Sequence, residues 1–235
     1  MRGKYGLRAL GLCVVAALAF VAFSAASAQA AEWLTEGNIN VTEKVPIEIE
    51  PDIMLTFSST TGANNTPVKI LCENEDLLEG NLEPAGKATG TLSFTECRTF
   101  LGEAESKTCV PQVPIISNGI TAELFEMGGE AYVLLKPTTG TTLAMIKFPN
   151  KECILNPERE ISGTAVVKDC NKEGTKLLVK HLIEEASEPL FASGEHLDSL
   201  KFGTKSSVKN AHFTGSVFVR LKGLFLNRTF GAVLH

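Results

Sequence analysis

Two clusters of side chains in this 235-residue chain have the types and spacing to hold a metal ion. Glu73, Glu75, Asp76, Glu79 and Glu83 follow Cys72 closely, and carboxylates packed this densely suit calcium, a hard cation bound by oxygen ligands. The run lacks the alternating Asp/Asn and the central Gly of an EF-hand, and its plainer reading is a solvated acidic turn before Gly80-Asn81. The second cluster is His181, Glu184, Glu185, His196 and Asp198. On a helix, His181 and Glu185 would be i, i+4 neighbours on one face. His196 and Asp198, two apart on an extended segment, would complete a set able to hold a metal and activate water for hydrolysis. The plainer reading is an exposed helix end followed by a loop. No G-x-S-x-G elbow, H-E-x-x-H pair, phosphate-cradling Gly loop or dinucleotide fingerprint accompanies either cluster.

The cysteines form a third group. Cys13 sits in the N-terminal apolar run, which leaves Cys72, Cys97, Cys109, Cys153 and Cys170 for the folded part. An odd number permits at most two internal bridges, and the absence of C-x-x-C argues against a redox motif or a zinc knuckle. Strand-like "GTLSFTEC" ends at Cys97 and "CVPQVPI" restarts at Cys109, so these two could face each other across a hairpin. An internal echo competes with that reading. "GTLSFTEC" and "GTAVVKDC" each follow another cysteine, and a duplicated unit would pair Cys72–Cys97 and Cys153–Cys170. The hairpin reading takes precedence here, giving Cys97–Cys109 and Cys72–Cys153 with Cys170 spare. A spare thiol beside Asp169 and Lys172 either cross-links a partner or is buried as a small hydrophobe.

The first thirty residues read as an address rather than as a structure. Arg2, Lys4 and Arg8 precede an apolar run from Ala9 to Phe23, and Ser24 to Ala31 is rich in small residues with Ala28-Gln29-Ala30 as a cleavage site. That order describes a secretory signal peptide, residues 1–30, too short to serve as a membrane span. Residues 31–235 then form one exported, extracytoplasmic domain, with a candidate sub-division near 136. Removing the leader takes the net charge from −5 to −8. Residues 31–135 carry 5 Lys/Arg against 17 Asp/Glu, while 136–235 carry 14 against 10. The two halves are placed to attract each other within one fold or to make a dipolar surface. No run of basic residues could neutralise a phosphate backbone, so nucleic acid is excluded as a partner. Tyr and Trp are too scarce for the girdles of a membrane barrel.

The elements that must position these groups read as strands. Val45, Ile47 and Ile49 alternate with Pro46, Glu48 and Glu50, and Pro46 suggests an edge. Ile53–Phe57, Val68–Cys72, Thr91–Thr95, Ser162–Lys168 and Ser216–Leu226 follow the same pattern. Pro137-Thr138-Thr139-Gly140 between Tyr132–Lys136 and Thr141–Phe148 predicts a hairpin. Lys172–Ala186 reads equally as helix or strand. The fold class is therefore all-β, an antiparallel β-sandwich or barrel with at most one short helix.

"AEW" after the leader, the "GTLSFTEC" strand and the terminal "FTGSVFVRL" resemble a group of uncharacterised exported bacterial proteins, β-rich and often present in many copies. Where that group has a small residue before the strand cysteine this chain has Glu96, and Cys170 is extra. The resemblance implies export, a β fold and disulfides, and it brings no activity or site residue. The expected function is non-enzymatic: a disulfide-stabilised binding or structural protein with no cofactor, calcium being the candidate ion, and an envelope or extracellular ligand. The Glu73–Glu83 loop and the Cys97–Cys109 loop are the expected contact surfaces. The alternatives are a metal-dependent hydrolase centred on His181, Glu185 and His196, and a calcium-stabilised module built on Glu73, Glu75, Asp76 and Glu79.

Overall fold

The computed structural model describes residues 29–36, 39–169, 180–185, 191–192, 195–197, 199–226 and 228–233, with 29–30, 180–185, 191–192 and 195–196 described by their backbone. Eight strands carry the architecture: β1 (Val45–Thr61), β2 (Thr66–Glu83), β3 (Lys87–Leu101), β4 (Ile120–Met127), β5 (Glu130–Pro137), β6 (Ala165–Asp169), β7 (Lys180–Glu185) and β8 (His212–Leu221). Each pairs antiparallel with the next, and β8 returns to β1, so the sheet curls into a nearly closed up-and-down barrel. Closure removes the unpaired edges that an open sheet of this size would expose. The described helical structure is a single 3-10 turn, Gly223–Phe225.

Strand alternation puts all odd-to-even connections at one end of the barrel. Two of the long ones supply a four-stranded sheet, Thr142–Lys147, Glu158–Ser162, Lys201–Thr204 and Ser207–Asn210, that caps that end. Phe148, Leu155 and Phe202 are fully buried beneath it, against Phe57, Val68 and Ile70 of the barrel. The opposite end is closed by Glu32–Thr35, Ile39–Asn40 and Phe230–Val233, whose Trp33 and Phe230 pack on Val45, Leu82 and Leu221. The barrel draws strands from both sides of residue 136.

Several expectations are corrected. The Pro137–Gly140 segment is no hairpin: β5 pairs with β4 and β6, while Thr142–Lys147 pairs with Glu158–Ser162. The turn carries the chain out of the barrel wall into the cap, a choice made by tertiary packing that turn residues alone do not encode. Pro46 is not on an edge strand, since β1 lies between β8 and β2. It is tolerated because it is the second residue of β1, where its carbonyl accepts the Lys222 N–H at 2.8 Å. Lys180–Glu185 is strand, so the helical reading of Lys172–Ala186 fails there, and 172–179 lie outside the described residues.

The disulfide pairing also differs. Cys72 and Cys97 face each other in the β2–β3 ladder, with Cα atoms 4.0 Å apart, and are bonded to one another. Cys109 binds Cys153, tying the β3–β4 connection to the cap. The chain does fold back on β3 at Ala104–Glu105, but Cys97 is already bonded across the β2–β3 ladder and Cys109 is bonded to Cys153. The echo reading was right about Cys72–Cys97, and Cys170 lies outside the described residues.

Candidate functional site

An eight-stranded barrel is just wide enough for its own side chains to fill it. Here they do not fill it. Ala88, Gly90, Ala122 and Gly215 face inward from β3, β4 and β8, and beside these small residues the interior keeps a cavity of about 150 Å³. A second cavity of about 90 Å³ adjoins it toward the cap. Leu55, Leu92, Ile120, Leu135 and Phe213 line both, so the two apolar cavities adjoin across these side chains. Two of their polar side chains, Ser117 and Thr89, are occupied. The Ser117 hydroxyl accepts the Leu92 N–H and donates to the Asn118 carbonyl, both at 2.8 Å, and Thr89 Oγ1 donates to Glu83 at 3.0 Å.

The β1–β2 ladder beside these cavities is interrupted. Val45 and Pro46 pair with Leu82 and Asn81, and β1–β2 pairing resumes only at Thr56 with Leu71. In the same stretch β1 bulges against β8: Thr214 faces Thr56 while Val217 faces Pro51, so β1 carries extra residues. Pro51, Asp52, Ile53 and Met54 are consequently exposed in succession, against the alternation that precedes them. Two carboxyl groups hold the bulge. Ser216 Oγ donates to Asp52 at 2.7 Å, and the Leu55 N–H donates to Glu75 Oε1 at 2.9 Å.

Glu75 is the least expected member. It belongs to the predicted acidic turn, yet Glu73–Glu83 is continuous strand within β2. Below Cys72 the inward positions shift from even to odd numbers, so Val68, Ile70 and Cys72 are followed by Glu75 and Leu77. Glu96, with φ of 52°, sits at the corresponding point of β3. Glu75 pairs with Phe94, which lines the smaller cavity, and residues opposite each other in a ladder share a face. Its side chain therefore lies on the interior face next to cavity-lining Phe94, only 5% exposed, and Oε2 has no partner among the described residues. Burial pushes its pKa above the ordinary value, and the Leu55 N–H opposes that shift.

The other acidic residues are dispersed by the same alternation. Glu73 points outward to Arg98 at 2.5 Å, Asp76 and Glu79 are exposed, and Glu83 at the far end of β2 meets Lys44 at 2.8 Å. In the second cluster, His181 and Glu185 lie four residues apart on β7, roughly 13 Å along a strand. His196 pairs with Phe191 in a separate ribbon, and Asp198 lies outside the described residues. Among the described residues no three His, Cys, Asp or Glu side chains are grouped to hold a metal. No described helix is long and apolar enough to cross a membrane.

Sequence reasoning missed the cavity because Leu55, Leu92 and Ile120 read the same whether they pack on neighbours or on empty space. Two signals were present: a glycine at 215 inside the last strand, and the lapse of alternation at Pro51–Met54. No protein-family model, curated protein or solved structure matches this chain.

Proposed function

We propose that this protein is an exported, non-enzymatic binding protein that takes a small apolar molecule into its barrel. One observation carries the reading: two adjoining apolar cavities, the larger beside Ala88, Gly90, Ala122 and Gly215 and the smaller toward the cap. A cavity of roughly 150 Å³ lined by aliphatic and aromatic side chains stays dry and accepts benzene-sized guests. Occupants of this class are single rings or short alkyl groups. The leader-like residues 1–30 and the two disulfides support export into an oxidising compartment.

The test is a thermal melt of the oxidised protein with and without toluene, together with methyl NMR of the Leu, Ile and Val side chains. Ligand at a hundred times its Kd adds about 2.7 kcal/mol, a rise of roughly 5–10 °C for a chain of this size. Shifts confined to Leu55, Leu92, Ile120 and Leu135 support the proposal. An unmoved melt with unperturbed methyl groups would show the space to be a packing void and nothing more. The same melt with calcium, zinc or chelator tests the two metal sets directly.

A further inference from the structure

We infer that Glu75 gives this cavity its polar specificity: the occupant is a small, largely apolar molecule bearing one hydrogen-bond donor, which Glu75 Oε2 accepts. The inference rests on the reading of the barrel as a binding cavity. Three observations converge on it. Glu75 shares an interior face with Phe94 and is followed inward by Leu77, and those side chains line the two apolar cavities. One carboxyl oxygen is fixed by the Leu55 N–H, which orients the group and leaves the other oxygen without a partner in a buried setting. The ladder between β1 and β2 is interrupted along the stretch of β2 that carries Glu75, which leaves the Leu55 N–H to this carboxyl.

A buried acceptor without a partner is costly, and a donor brought in by a ligand removes that cost. Ser117 and Thr89 are already hydrogen-bonded and offer no such acceptor, whereas Glu75 Oε2 does. Ligand carboxylates are disfavoured, because two acidic groups would share one apolar site. A phenol, an alcohol or an amine on a compact hydrocarbon fits.

The experiment titrates the oxidised full-length protein with toluene, p-cresol and p-tolunitrile, reading affinity by methyl NMR, for wild type and Glu75→Gln. The Gln amide keeps an oxygen for the Leu55 N–H and places a donor where Oε2 stood. Wild type should bind p-cresol about tenfold more tightly than toluene, reflecting a hydrogen bond to a carboxyl group. Glu75→Gln should lose that preference and favour p-tolunitrile, and the methyl NMR spectrum of the unliganded variant reports an intact fold. Equal affinity of wild type for toluene and p-cresol, or a p-cresol preference that survives in Glu75→Gln, overturns the inference and leaves the cavity reading standing. Failure of all three probes to bind wild type overturns both.

Discussion

β2 has two neighbours, and it treats them differently. Along β3 its ladder runs from Val68–Leu101 to Glu83–Lys87 with one register shift, reinforced by Cys72–Cys97. Along β1 the pairing stops after Pro46 and resumes at Thr56, and a carboxyl group from Glu75 reaches over to a backbone N–H that the ladder left behind. A strand with two equally good edges would do neither job as well. The sealed seam supplies stability and the broken one supplies a polar group facing an apolar interior. The charged halves of the chain meet on the third seam, where Arg220 of β8 contacts Glu48 at 2.6 Å and Glu50 at 3.6 Å. Basic residues of the second half thus meet acidic residues of the first along the β8–β1 seam.

The largest way to disturb this contrast is to unseal the closed seam. Cys72→Ala with Cys97→Ala releases a 25-residue separation and should cost roughly 3.5 kcal/mol on chain-entropy grounds. Removing Cys109–Cys153, with a separation of 44, should cost roughly 4 kcal/mol. Urea unfolding of both double variants measures the difference. The β2–β3 ladder survives without its bond, whereas the Cys109 segment loses its covalent tie to the cap. Toluene binding should therefore persist better in the first variant than in the second.

A smaller effect comes from jamming the broken seam. Gly215 has φ of +132°, and a Cβ there would lie 2.8 Å from the Met54 carbonyl oxygen and 2.9 Å from Leu55 Cα. These are backbone atoms of the bulge and cannot swing aside. Gly215→Ala should cost about 1–3 kcal/mol. If the break is an adaptable part of the wall, the variant should also change the affinity for toluene; unchanged stability would show that β1 yields freely at this point.

Much of the frame was legible. Val45, Ile47 and Ile49 alternate because one face meets the core, and of the turn-rich Gly62–Pro67 the first four residues do separate β1 from β2, while Thr66 and Pro67 already pair with β1. What local pattern could not show is which strands become neighbours. Cys97 was assigned to the next cysteine along the chain, while its true partner lies across a ladder that only the closed barrel defines. The acidic run was read as a solvated turn because five carboxyl groups rarely enter a strand. Pairing with β3 makes it one, and alternation then sends Glu73 to Arg98 and Glu75 inward.

The smallest effect distinguishes two carboxyl groups of that one strand. Glu83 is held below its ordinary pKa of 4.5 chiefly by its hydrogen bond to Lys44. Its contribution is present above pH 4.5 and is lost as pH falls through the lowered folded value. Lys44 is well exposed, so the contribution is at most about 1 kcal/mol. Glu75 is raised from 4.5 by burial, so the folded state holds its proton more firmly than the unfolded chain does. Its contribution is complete below pH 4.5 and is lost as pH rises through the raised folded value. Glu75→Gln removes that loss. The stability of wild type relative to Glu75→Gln should therefore decline as pH rises above 4.5, while wild type relative to Glu83→Gln should decline as pH falls below it. Urea midpoints measured from pH 3 to pH 7, about the range over which carboxyl groups titrate, would show the two difference curves sloping in opposite directions. Parallel slopes would mean that Glu75 is ionised and paired in the folded protein, which would remove the asymmetry between the two seams of β2.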